Sequence, residues 1–104
     1  MNTLYTAQNF TSSQCDTSRA FYIDFEHKIV KLSFCQLLAF REQVKNINLD
    51  AHFSGKNKHG IEILVLCNRS HILIFDTFDC IALKELMQGT FAMLELNSLL
   101  TATA

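Results

Sequence analysis

The strongest constraint on the fold lies between Ile61 and Asp76, where two apolar runs flank the polar trio Asn68, Arg69 and Ser70. Turn-forming residues between two such runs predict a β-hairpin. A strand covered on one side alternates apolar and polar residues. This hairpin does not. Ile61, Ile63 and Val65 point one way, yet Leu64 and Leu66 point the other, and Ile72 and Ile74 alternate with Leu73 and Phe75. Leaving Leu64, Leu66, Leu73 and Phe75 in water would forfeit roughly 1.5–3 kcal/mol each. Their sum approaches the whole ~5–15 kcal/mol that holds a small domain together. Both faces therefore need cover.

The rest of the chain has little cover to offer. It has 104 residues, the usual size of one domain, with 49% hydrophobic and only 18% charged residues. The charged share is below the ~25% of typical globular domains. Proline is absent and glycine occurs three times, so no linker divides the chain, and residues 9–104 are expected to form a single domain behind a frayed tail at 1–8. With so much apolar surface, self-association through the C-terminal half is expected, a homodimer before any higher assembly. The expected contacts are Leu64, Leu66, Leu73 and Phe75, with Ala92, Leu96 and Leu99 from the final helix.

Upstream, Asn9 to Cys15 suggests an edge strand and Asp16 to Arg19 a turn. Phe21, Ile23 and Phe25 then alternate with Tyr22, Asp24 and Glu26, which predicts a half-buried strand. Glu26 and His27 fall at the following turn, and Lys28 to Leu32 returns. Ser33 opens a helix with Gln36 completing a capping box. Leu37, Phe40, Val44 and Ile47 share its apolar face, with Glu42 and Asn46 opposite. A third short strand is expected at Cys80 to Ala82. Leu83 to Leu100 has helical composition, although Gly89 weakens that reading and Thr90 to Leu96 is an alternative strand. The expected class is α+β, an antiparallel sheet carrying two helices in the order βββα-βββα. An offset that lays Ile23 on Ile74, Leu32 on Leu83 and Phe40 on Phe91 hints at a weak internal duplication. The order resembles the PUR-repeat and Whirly type of single-stranded nucleic-acid-binding fold, a resemblance of element order that carries no residues over.

Chemistry-bearing residues are sparse. There is no nucleophile elbow, phosphate-cradling glycine loop, zinc-protease motif or calcium loop, so no catalytic residue is assigned. Cys67, His71 and Cys80 are proper zinc-ligand types, but a closed structural site takes four ligands. No metal or cofactor is expected. Asp24, Glu26 and His27 form a polar end of a hairpin with no pocket to perturb them. Lys56, Lys58 and His59, with Phe53 beside them, could hold phosphate or a single strand by basic and stacking contacts. A formal net charge of -1 disfavours a nucleic-acid partner. The remaining alternative is a small enzyme or ligand-binding subunit whose pocket forms at a dimer interface. No apolar stretch is long enough to span a membrane, and the first residues lack a secretion signal. The expected compartment is the cytoplasm.

Overall fold

The computed structural model describes residues 2–15, 17–26, 28–53, 60–66 and 71–103, with side chains through 98. Four strands come first: β1 (Asn2–Ala7), β2 (Phe10–Cys15), β3 (Ala20–Asp24) and β4 (Ile29–Leu32). They form an antiparallel meander in chain order. Helix α1 (Phe34–Lys45) and the short α2 (Leu49–Phe53) follow, then the hairpin β5 (Ile61–Leu66) and β6 (His71–Asp76) as a separate two-stranded sheet. A long helix, α3 (Thr77–Thr103), closes the described chain. The class is α+β with antiparallel sheets and two long helices. The strands divide four and two, where the element order had suggested three and three.

Two differences from the expected elements have clear causes. Residues 2–7 are a strand and no tail. Leu4 and Ala7 are buried and β1 pairs along β2, with a bulge between Thr3 and Tyr5. Its polar Asn2, Thr3 and Thr6, and the bulge that sets the buried Leu4 and Ala7 three residues apart, hide this strand from a period-2 reading. As a result β2 is an inner strand of the sheet. Cys80 to Ala82, expected as a strand, lies in the first turns of α3. Three residues fit either conformation, and the aspartates decide. Asp76 Oδ1 accepts the Asp79 backbone N–H at 2.8 Å, and Asp79 Oδ2 accepts the Asp76 N–H at 3.3 Å. This reciprocal pair starts a helix as a capping box does.

α1 forms as its sequence predicts. The Ser33 hydroxyl accepts the Gln36 N–H at 3.2 Å and the Gln36 side chain accepts the Ser33 N–H at 2.8 Å. Leu37, Phe40, Val44 and Ile47 are all buried. α1 lies across β3 and β4, whereas α3 runs over β1 and β2. Both cover the face of the large sheet that carries Phe10, Ser12, Phe21, Ile23, Val30 and Leu32. The other face is left to Thr11, Ser13, Tyr22, Asp24 and Lys31, none of them fully buried, in keeping with the alternation read in β3.

α3 continues through Gly89 without a break, so the strand alternative for Thr90 to Leu96 does not form. The glycine has a packing reason. A Cβ there would collide with the ring of Tyr5, whose hydroxyl donates to Glu85 Oε1 at 3.2 Å one turn earlier. Next to it Thr90 and Ser12, both fully buried, share a 2.6 Å hydrogen bond between helix and sheet. Gly89 lets α3 lie flush against β1, and the hydroxyl pair fixes where along the helix the seam falls.

Candidate interaction surface

The β5–β6 hairpin caps the core with one face and presents the other to solvent. Antiparallel pairing sets Ile63 opposite Ile74, Leu64 opposite Leu73 and Val65 opposite Ile72. Leu64, Leu66 and Phe75 are buried, and Leu73 is half-buried against the same cluster. The Phe75 ring meets Phe10 at 5.9 Å and Phe25 at 5.6 Å between centroids. The hairpin thus seats on the Phe10–Phe25 end of the large sheet and against α1 and α3.

This placement corrects the residues expected to face a partner. Leu64, Leu66 and Phe75 belong to the chain's own core, and Leu73 packs on it. The outward row is Ile61, Ile63, Val65, Ile72 and Ile74, with Ile63, Ile72 and Ile74 exposed to 61%, 63% and 65%. With both faces apolar, period-2 alternation says that two faces exist but not which turns inward. Glu62 deepens the ambiguity because it stands in the same row as Leu64 and Leu66, the inward one. It is tolerated there because His52 meets it.

Among the described residues, two polar side chains add to this apolar seat. His52 of α2 is the first, its side chain fully buried. Its Nε2 lies 2.9 Å from Glu62 Oε1 and its Nδ1 2.8 Å from Thr77 Oγ1. The carboxylate can only accept, so Nε2 carries a hydrogen, and in the neutral ring Nδ1 accepts from the Thr77 hydroxyl. Hydroxyl, imidazole and carboxylate stand in the order of an acyl-transfer relay. With the ring enclosed, however, no substrate reaches it. The three groups join α2, β5 and the start of α3.

Gln43 of α1 is the second contact. Its Nε2 donates to the Val65 carbonyl at 2.8 Å and its Oε1 accepts the Val65 N–H at 3.2 Å. The amide occupies the outer edge of β5 as a neighbouring strand would. Neither His52 nor Gln43 is legible in sequence as a partner of this hairpin, since each comes from a segment at least ten residues away.

The other expected site residues divide. Phe53 is exposed at the end of α2. Lys56, Lys58 and His59 lie outside the described residues. Ala92 and Leu96 are exposed on α3, and the Leu99 side chain lies outside the described set. Of the zinc-type trio, Cys67 is not described, whereas Cys80 is buried, which pushes its thiol up to about 11. Among the described residues no group of three or more His, Cys, Asp or Glu side chains is placed to hold a metal ion. Asp24 Oδ1 accepts the Glu26 N–H at 2.8 Å, a local turn contact; His27 is outside the described residues. Among the described residues no helix is long and apolar enough to cross a membrane.

No protein-family model, curated protein or solved structure matches the chain.

Proposed function

We propose that this protein is an assembly domain that binds a second copy of itself through the outward face of the β5–β6 hairpin. The observation that carries the reading is the row of five β-branched side chains, Ile61, Ile63, Val65, Ile72 and Ile74, left in solvent on a strand pair whose other face is core. Together they expose on the order of 500 Å², near the top of the ~300–600 Å² span of the largest apolar patch on a typical monomer. Two copies meeting there bury about 1,000 Å², where specific interfaces begin.

Three features favour a like partner. The row is uncharged from Ile63 to Ile74, and Asp76, cross-strand from Ile61, puts one carboxylate at its end, so pairing the row with itself brings little like-charge repulsion and its centre offers no ion pair to an unlike protein. A net charge of -1 adds little long-range repulsion between copies. β-branched residues on a pleated surface also suit sheet-on-sheet packing, with the two hairpins about 10 Å apart across a twofold axis. His52 and Gln43 hold the hairpin in its presented shape before any partner arrives, which lowers the ordering cost of association.

Sedimentation equilibrium tests the reading. Wild type is expected to be a dimer at micromolar concentration. Ile63→Lys and Ile74→Lys, which replace cross-strand neighbours on the exposed row, are expected to sediment as monomers with unchanged far-UV circular dichroism. A wild-type monomer at tens of micromolar, or a dimer indifferent to both substitutions, overturns it.

A further inference from the structure

Away from the hairpin, α1 and α3 leave a groove of about 310 Å³ between them, lined by Arg41, Val44, Lys45, Lys84, Met87, Gln88 and Phe91. That volume sits at the small end of the ~300–1,000 Å³ of small-molecule sites. Among the described residues, three cations and no carboxylate line it, in a chain whose formal net charge is -1. Two of the cations have other work. Lys84 Nζ donates to the Val44 carbonyl at 3.0 Å and the Lys45 carbonyl at 3.4 Å, closing the end of α1. Lys45 lies 3.9 Å from Glu42 on an exposed surface.

Arg41 is different. Its guanidinium carbon sits 4.3 Å from the centre of the Phe91 ring, and its Nε is buried with no acceptor among the described residues. A cation–π contact compensates part of the charge but accepts none of the in-plane N–H hydrogens. A half-buried guanidinium without a counter-ion is costly, because it loses water on one side and gains no anion on the other. Phe91, Met87 and Val44 supply an apolar floor beside it. The groove therefore combines a stacked, donor-rich cation with a greasy wall.

We propose that this groove binds a small organic oxyanion, its carboxylate or phosphate on Arg41 with Lys45 at the rim, and its apolar body on Phe91 and Met87. The site rests on α1 and α3 alone and is independent of self-association. Isothermal titration of the full-length protein tests it with four probes: 2-naphthoate, 2-naphthyl phosphate, inorganic phosphate and the uncharged 2-naphthylmethanol. At least one naphthyl anion is expected to bind saturably, and the stronger of the two identifies the headgroup. Naphthylmethanol and inorganic phosphate are expected to bind at least tenfold more weakly, each lacking one half of the recognition. Arg41→Met, which keeps the stem over Phe91, should weaken the anion about tenfold, the loss of one charge-assisted hydrogen bond. The exposed Lys45→Gln should weaken it several-fold, and Ile63→Lys should leave it unchanged. Failure of both naphthyl anions to bind at millimolar concentration overturns the proposal. So does naphthylmethanol binding equally well, or binding indifferent to both Arg41→Met and Lys45→Gln.

Discussion

The seam between α3 and the sheet depends on single atoms. Ser12 and Thr90 form one buried hydroxyl pair at 2.6 Å, so each is the other's main partner. Removing one leaves the other under-satisfied, Ser12 keeping only its long 3.4 Å bond to the Tyr5 carbonyl, whereas removing both leaves an apolar seam. Ser12→Ala and Thr90→Val should each cost about 1–3 kcal/mol, and the double variant clearly less than their sum. Urea denaturation of the four proteins measures this. Gly89 reverses a familiar rule. A glycine in a helix interior is ordinarily stabilised by about 1 kcal/mol on change to alanine. Here the methyl collides with the Tyr5 ring, and Gly89→Ala should destabilise by about 1–3 kcal/mol through overpacking. In a Tyr5→Ala background the same change should turn neutral or stabilising, a sign reversal visible in thermal melts. The cysteines separate by environment. Hydrogen bonds from Ser18 and Thr17 lower the Cys15 thiol to about 6, while burial raises Cys80 to about 11. A lowered pKa means that the thiolate, the reactive form, is already dominant at neutral pH. Iodoacetamide labelling of Cys15 should therefore be near its plateau at pH 7 and fall by half near pH 6. Cys80 should stay unlabelled in the native state, as peptide mapping would show.

At the scale of elements, the hairpin is where stability and presentation meet. It is a two-stranded sheet, and such a pair is marginal by itself in water. Its order comes from Leu64, Leu66 and Phe75 beneath it, from Gln43 along β5, and from the His52–Glu62–Thr77 joint. His52→Leu keeps the volume but leaves the partly buried Glu62 carboxylate without its imidazole partner. This should cost about 1–3 kcal/mol. Amides of β5 and of the first turn of α3 should then exchange hydrogen faster, while those of β2 and β3 keep their protection. Equal loss of protection across all strands would count against the joint as a local tether. α1 needs no such help, because its capping box and apolar stripe are both local.

The whole molecule is elongated, with extents of 50 × 27 × 21 Å. Glu95 to Ser98 are exposed on every side of α3, since four successive residues sample all directions of a helix. The proposed dimer is an apolar contact, with the carboxylate of Asp76 only at the end of its row. Its affinity should thus change little between low and high sodium chloride, because screening acts on charges. It should weaken on cooling, as apolar association does. Sedimentation at two salt concentrations and two temperatures checks both trends. A strong weakening by salt would point to ion pairs at the interface and away from the Ile61–Ile74 row.

Residue spacing alone determined α1 with its cap and buried face, the one-sided character of β3, the hairpin at 61–76 and its excess of apolar surface. Those features are local, because they rest on periods of 2 and 3.6 and on side chains bonding their own backbone. Three matters were decided only by contacts between distant segments. β1 exists because β2 pairs with it, α3 passes Gly89 because Tyr5 fills that space, and the Ile face of the hairpin turns outward because Phe75 finds Phe10 and Phe25. Both faces of an apolar strand satisfy the same alternation. Only the partners waiting on one side, with His52 there to receive Glu62, break the tie.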